Sequence, residues 1–386
     1  MSWFRTLFTY LPFAVWLVTV LVYVVPCRYR TRVQAIWAMV LLACAAKFLC
    51  YKMFGGDVFV PELPEKLIWF WNWAYSGAMI LFVLSSAWFA VGLVLRNFIT
   101  ASPRALTVRR WALPVAAWML SAWGLWNGVG APTVREVELA IPGLPAELDG
   151  YRICHLADIH VSSGARRWRT ERIVAAANAA GADLIVCSGD IVDGTGARRQ
   201  RDVEPIRNLA AKDGVWFVTG NHEYYNDWSE WKRRYDRWGI RFLSNTCVFP
   251  RPKLALGGVN DDAVMRFDGS AASDCPNVGR AFACATNGEF RVLLSHRPAD
   301  ARRNAVSWNV GLQLSGHTHG GVMPILDRLV ARHNNGFVHG AYPLETGLLW
   351  WLHVSPGCGQ WAGFPVRFFN DPEISVITLR RNRLVR

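Results

Sequence analysis

At 386 residues with 52% apolar side chains, the chain is too hydrophobic to be an ordinary soluble enzyme of its length, which implies an appended membrane segment. Its formal charge of +13 would suit a nucleic-acid binder, but eight of those charges fall in the first 132 residues, beside apolar runs, where basic residues set membrane orientation. No nucleic-acid partner is expected.

Four apolar runs, Leu7 to Val25, Val33 to Tyr51, Leu67 to Leu95 and Trp111 to Trp126, approach the ~20 residues that cross a bilayer as a helix. They are apolar all round, not on one face, so they read as about four transmembrane helices. The last is the shortest, and Pro114 lies in its first turns. No small-residue cleavage site precedes Arg28, so the first run is a poor signal peptide. Arg28, Arg30 and Arg32 follow the first run, and Arg96, Arg104, Arg109 and Arg110 separate the third from the fourth, which places both loops in the cytoplasm. The loop between them sets Lys52 and Lys66 against Asp57, Glu62 and Glu65 and belongs on the other side. With four spans, the C-terminal domain is external, in the periplasm if the membrane is a bacterial inner membrane. Lys47, inside the second run, is expected to snorkel outward.

Residues 1–130 therefore read as a membrane anchor in the lipid bilayer, 131–149 as a linker marked by Pro132, Pro142 and Pro145, and 150–386 as a catalytic domain. In that domain short apolar runs alternate with helix-compatible segments. The runs are Tyr151 to Leu156, Leu184 to Cys187, Val215 to Val218, Leu254 to Val259, Phe290 to Leu294, Leu312 to Leu314, Leu352 to Val354 and Ile374 to Leu379. Thr170 to Ala180 reads as a helix. Continuous apolar runs of this length suit strands buried on both faces of an α/β fold. The nine cysteines include no C-x-x-C pair; Cys154 and Cys187 read as buried thiols, and Cys275 with Cys284 as a candidate disulfide if the domain is external.

The ends of these runs carry the chemistry. They lead into Asp158-Ile159-His160, Gly189-Asp190-Ile191-Val192-Asp193, Gly220-Asn221-His222-Glu223, Ser295-His296 and Gly316-His317-Thr318-His319-Gly320. Loops at the carboxyl ends of strands converge on one site in α/β folds, so these clusters should meet. In an extended chain, Asp158-x-His160 and His317-x-His319 each point two side chains the same way, toward one cation. The carboxylate of Asp190 suits a shared ligand, because its two oxygens can each bind an ion. Gathered without metal, these groups would be costly to bury. Two divalent ions together polarise a phosphoryl group and lower the pKa of a bound water.

The series A-D-I-H, G-D-I-V-D, G-N-H-E, S-H-R-P and G-H-T-H-G resembles the calcineurin-like metallophosphoesterase superfamily, from about Arg152 to Leu379. The segments Val354-Ser355-Pro356-Gly357 and Pro365-Val366-Arg367-Phe368-Phe369 resemble its membrane-associated bacterial branch. The resemblance implies a four-layer αββα sandwich. It also implies a first metal on Asp158, His160 and His319, Asp190 bridging, and a second metal on Asn221, His296 and His317. It gives His222 the role of stabilising the transition state or protonating the leaving oxygen, with Glu223 supporting it and Asp193 orienting neighbours. Val322 and Pro356 depart from the branch near the expected substrate rim. The nitrogen and oxygen donors suit manganese, iron or zinc.

Among the other residues, His155 reads as a core histidine. Arg166, Arg167 and Arg169 read as a solvated helix start or as a phosphate contact. Trp228, Trp231, Tyr235 and Trp238 read first as core and second as an apolar lip. Asn260, Asp261 and Asp262 are candidates to approach the site, and His339 and His353 to line its rim, while His333 has no evident partner. The expected function is hydrolysis of a phosphodiester or phosphomonoester by metal-activated hydroxide, with a membrane or envelope substrate that includes lipid-linked phosphates. Two rival readings are a membrane sensor or transporter whose domain only binds a phosphorylated ligand, and a cytoplasm-facing hydrolase of a nucleotide-linked lipid.

Overall fold

A computed structural model describes residues 2–95, 102–267, 271–286, 288–322, 326–345, 349–361, 363 and 365–382. The chain forms two compact units, Met1–Gly128 and Val129–Arg386.

The first unit is helical. Ser2–Thr19 runs into a π-helical turn at Val20–Val24, Thr31–Ala45 and Lys47–Gly55 meet at a 52° bend, and Glu65–Leu95 and Pro103–Val129 follow. Arg5–Val24 and Glu65–Val94 are long and apolar enough to cross a membrane, and the bent pair makes a third if it is one span. The expected fourth run is helical, within Pro103–Val129, but does not meet the same standard, because past Arg110 its apolar residues are diluted by Pro114, Ser121, Gly124, Asn127 and Gly128. Two helices, or three with the bent pair, thus meet that standard. Arg96 lies outside the described residues. Arg110 caps the end of the first helix, donating from Nε and Nη2 to the carbonyls of Cys27 (2.6 Å) and Arg28 (2.8 Å).

Lys47 does not snorkel. It is fully buried at the helix bend, with Nζ 4.5 Å from the Phe48 ring centroid and 4.9 Å from that of Tyr75. The electron-rich ring faces stand in for the water the ammonium has lost.

The second unit contains twelve strands among the described residues: β1 (Thr133–Pro142), β2 (Arg152–Leu156), β3 (Leu184–Cys187), β4 (Val215–Phe217), β5 (Arg241–Phe242), β6 (Thr246–Arg251), β7 (Leu254–Gly258), β8 (Phe290–Leu294), β9 (Leu312–Ser315), β10 (Gly340–Glu345), β11 (Leu349–Val354) and β12 (Glu373–Asn382). They form two six-stranded sheets, ordered β1-β12-β2-β3-β4-β5 and β10-β11-β9-β8-β7-β6. β2, β3 and β4 run parallel, as do β7, β8, β9 and β11, so in each sheet the loops that follow these strands emerge on one edge.

The segment expected to be a linker is largely strand β1, which pairs in parallel with β12 from Thr133↔Glu373 to Pro142↔Asn382. Its prolines only frame it. Leu139 and Ile141 point into the core, while Glu136 and Glu138 on the other face pair with Arg152 and Arg380. This alternation is the strand signal.

One apolar cluster joins Ile153, Leu184 and Val186 of the first sheet to Leu256, Val292 and Leu314 of the second. The opposite pleat of the first sheet, with Cys154, Leu156, Ile185 and Cys187, packs on Ile173, Val174 and Ala177 of helix Arg167–Ala179 and on Trp231 and Tyr235. Both faces of β2 and β3 are therefore buried, which explains why apolar residues occupy both faces and do not alternate with exposed polar ones. Trp231 and Tyr235 are core, as first read, and Trp231 Nε1 donates to Gly194 O at 2.9 Å. Cys284 bonds to Cys247 and not to Cys275, which remains a free thiol. Cys247 lies on β6, a strand the apolar pattern does not reveal.

Candidate metal centre

The five polar clusters follow β2, β3, β4, β8 and β9 and meet at one end of the second unit. The loops after β2 and β3 are zipped together, with Asp158, His160 and Val161 donating N–H to the carbonyls of Gly189, Asp190 and Ile191 at 3.0, 3.1 and 2.9 Å. The paired side chains are not aimed by an extended chain. Asp158, His160, Asp190, His317 and His319 all have positive φ, between 47° and 72°. Non-glycine residues adopt this left-handed conformation at a cost of about 1–3 kcal/mol each, which the surrounding bonds must offset.

Glu223 supplies much of that restraint. Its buried carboxylate accepts N–H bonds from Asp190 (2.9 Å), Ile191 (2.7 Å) and Gly220 (2.7 Å). Those three bonds assign it to holding the β3 and β4 loops together. Glycine is required beside the carboxylates: a Cβ on Gly220 would stand 2.2 Å from Asp190 Oδ1, and one on Gly316 would stand 2.4 Å from Asp158 Oδ2.

Three sets of side chains bring donor atoms within 4.8 Å of one another: Asp158, His160 and His319; Asp158, Asp190 and His296; and His160, Asp193 and His222. Asp190 Oδ2 lies 3.2 Å from His296 Nε2, 3.8 Å from His160 Nε2 and 4.0 Å from His222 Nε2. His160 Nε2 is 3.1 Å from His319 Nε2, and His317 Nδ1 is 3.2 Å from His296 Nε2. Six of the seven predicted ligands thus interlock directly. The seventh, Asn221, joins through Arg297, whose Nη2 donates to its Oδ1 at 3.4 Å.

The electrostatics follow from crowding in a water-poor site. Burial raises the pKa of Asp158. Burial also opposes the charged forms of Asp190 and Asp193, but the neighbouring imidazoles outweigh it and both carboxyls fall below their ordinary range. His296 and His222 respond in the opposite sense. Against burial, Asp190 lifts His296 to about 10, and Asp190 with Asp193 lifts His222 to about 9. Burial depresses His317 and His319, reinforced by His296 and His160 respectively.

A divalent cation fits this donor set. Imidazole nitrogens about 3 Å apart face one another and buried carboxylates, and a shared cation satisfies their lone pairs together. Nitrogen and oxygen donors without thiolate suit manganese, iron or zinc.

Three residues matter more than their motifs announced. Asp193 accepts from His222 Nδ1 at 2.5 Å and from His160 Nδ1 at 3.1 Å, fixing both rings, so the orienting role expected of it matches its contacts. Arg297 is held by Asp261, through Nε at 2.8 Å and Nη2 at 3.1 Å. Arg367 is buried and donates to Pro356 O and Gly359 O, with Nη2 3.3 Å from His319 Nδ1. The sequence offered a signal for Arg297, which directly follows His296, and none for Arg367, which is 48 residues from His319.

The remaining candidates divide. His155 is core, with Nε2 2.9 Å from Ser188 Oγ, and His353 is no rim residue: its Nδ1 lies 3.2 Å from that of His155, fully buried. Arg169 is buried and donates to Cys358 O, while Arg167 pairs on the surface with Glu171 and Glu204. His333 and His339 are exposed.

The second unit thus gathers carboxylates and imidazoles at its strand ends, a donor set that suits a divalent metal. A family model described as calcineurin-like phosphoesterase matches residues 151–321, so this part of the chain is a calcineurin-like metallophosphoesterase domain. The chain is 32% identical over 275 residues to a transmembrane protein with metallophosphoesterase domain from Danio rerio, covering 68% of this chain and 61% of that one. It is 30% identical over 258 residues to an uncharacterized metallophosphoesterase of Helicobacter pylori, covering 66% of each. A Campylobacter jejuni metallophosphoesterase is 25% identical over 359 residues, covering 92% of this chain and 91% of that one. The match thus spans about three fifths of the zebrafish relative and nearly all of the Campylobacter one.

Proposed function

We propose that the chain is a membrane-anchored phosphoesterase that uses two divalent cations, on an αββα scaffold, to hydrolyse a phosphodiester or phosphomonoester of a membrane or envelope substrate. The observation that carries this reading is the convergence of five strand-end loops around Asp190, whose Oδ2 has the imidazoles of His296, His160 and His222 within 4.0 Å. Asp158, His160 and His319 would hold one cation, Asn221, His296 and His317 the other, and Asp190 both. The cations supply Lewis acidity toward phosphoryl oxygens and lower the pKa of water.

The chain's own groups do the rest. His222, held through Nδ1 by Asp193, leaves Nε2 on the side of Asp190, 4.0 Å from its Oδ2, and is the chain's candidate acid for the departing oxygen. Glu223 keeps the loop bearing His222 and Asn221 against Asp190. The test is the purified, detergent-solubilised protein loaded with Mn²⁺ and assayed on bis(p-nitrophenyl) phosphate and p-nitrophenyl phosphate, with and without chelator. Hydrolysis that chelation abolishes supports the reading; metal-loaded protein inert to both esters refutes it.

Sidedness turns on helix Pro103–Val129. If it crosses, the loop charges place the catalytic unit outside; if it does not, the same charges place it in the cytoplasm. We favour crossing from Trp111 onward, because the helix exposes Trp111, Val115, Met119 and Trp126 while its Ser121 hydroxyl is satisfied by Trp73 O at 2.8 Å. Alkaline phosphatase fused to the C-terminus is then active, and a fluorescent-protein fusion dark; the reverse pattern places the catalytic unit inside.

A further inference from the structure

Next to the metal-ligand candidates, the second sheet opens into a groove of about 410 Å³, between the ends of β7 and β8 and helix Ala301–Trp308. Small-molecule sites span roughly 300–1,000 Å³, so this volume admits one compact group. Arg297 forms part of its wall. Asp261, whose side chain is wholly shielded from solvent, fixes the guanidinium by two bonds. The same guanidinium reaches Asn221 Oδ1 and lies 3.2 Å from His317 Nε2. One positioned cation therefore borders both the groove and two metal-ligand candidates. A phosphoester at the metals would have the groove beside it across Arg297.

The rest of the lining indicates what the groove takes. Trp308 is 41% exposed, and its ring rests on the backbone at Gly279, where a Cβ would come within 2.4 Å of it. The missing side chain at Gly279 lets the outer edge of the indole pack directly against the backbone there. Around it the wall is mostly polar, with Asp262 and Ser307 exposed. A supported aromatic face flanked by a carboxylate and a hydroxyl suits a hydroxylated ring, whose C–H face stacks while its hydroxyls find partners. An acyl chain would leave those polar groups unsatisfied.

The geometry points to a subsite for one ester group of the phosphoester, and to a sugar as that group, stacked on Trp308 with hydroxyls directed to Asp262 and Ser307. The assignment rests on the phosphoesterase reading and adds the substrate class.

The test uses the full-length, Mn²⁺-loaded protein and three p-nitrophenyl phosphodiesters, carrying methyl glucoside through O6, ethanol or dodecanol. In the wild type, kcat/KM for the sugar ester exceeds that for the ethyl ester by about ten-fold, the scale of one aromatic contact. Trp308→Ala, which removes the platform, and Ser307→Phe, which fills the groove from an exposed position, both bring that ratio close to one. Metal content verifies that each variant is folded. A wild-type ratio near one, a ratio unchanged in both variants, or a preference for the dodecyl ester overturns the sugar assignment while the phosphoesterase reading stands. If the wild type cleaves none of the three, that reading itself falls and the subsite with it.

Discussion

Gly220→Ala isolates the packing of the metal centre from its chemistry. Gly220 has φ −101°, which alanine adopts freely, so the substitution carries no backbone penalty of the left-handed kind. The added methyl, however, would sit 2.2 Å from Asp190 Oδ1 and 2.6 Å from Asp190 N, whereas ordinary contact begins near 3.4 Å. Asp190 must therefore retreat by about 1 Å, a displacement of the size that costs on the order of 10²-fold in rate when it misplaces a reacting group. The neighbouring backbone gives little room, because Asp190 N and Gly220 N are both bound to Glu223. Overpacking of this kind also costs about 1–3 kcal/mol in stability. The assay is metal content by mass spectrometry, alongside kcat/KM on bis(p-nitrophenyl) phosphate and a thermal melt. Gly288→Ala is the control, since a Cβ there meets nothing closer than 3.6 Å. We expect Gly220→Ala to lose metal and at least about 10²-fold in activity, with the control unchanged. A Gly220→Ala protein with full metal and wild-type turnover would refute the placement of Asp190 at the centre.

Other substitutions probe the supports. Asp193→Asn removes the carboxylate that binds His222 and His160, and should lower turnover or metal affinity about 10–100-fold in steady-state kinetics across a Mn²⁺ titration. Glu223→Gln replaces at least one acceptor by an amide N–H₂ that cannot receive the N–H it faces. The loss of about 1–3 kcal/mol should lower the melting temperature by roughly 2–12 °C; an unchanged melt would count against the three-bond restraint. Metal uptake should release protons. His296, lifted to about 10 in the metal-free site, carries a proton at pH 7 that ligation must displace, so affinity should weaken about ten-fold per unit fall in pH for each proton released. Calorimetry in buffers of different ionisation enthalpy measures this, and uptake at pH 7 without proton release contradicts it.

Much of the site was legible because each ligand cluster is short, contiguous and placed where an apolar run stops. β2, β3, β8 and β9 are almost wholly buried, so each carries apolar residues on both faces and its end is sharply marked. β1 was hidden by flanking prolines that read as a linker, although Leu139 and Ile141 alternate with Glu138 and Ala140. The left-handed backbone at five ligand positions could not be read from residue types that ordinarily avoid it; it is imposed by the inter-loop bonds and by Glu223. Contacts between distant loops were equally silent: Arg297 meets Asp261 across 36 residues, and Cys247 meets Cys284 across 37. Lys47 was misplaced because its aromatic partner Tyr75 lies on another helix.

In the proposed enzyme the five loops clasp a pair of cations around Asp190. Anomalous diffraction from Mn²⁺-loaded crystals addresses it directly. We expect two peaks roughly 3.5–4 Å apart, one on either side of the Asp190 carboxylate. Fully loaded protein with no peak within reach of Asp190, or with its manganese bound elsewhere, would show that these loops do not form a two-metal site.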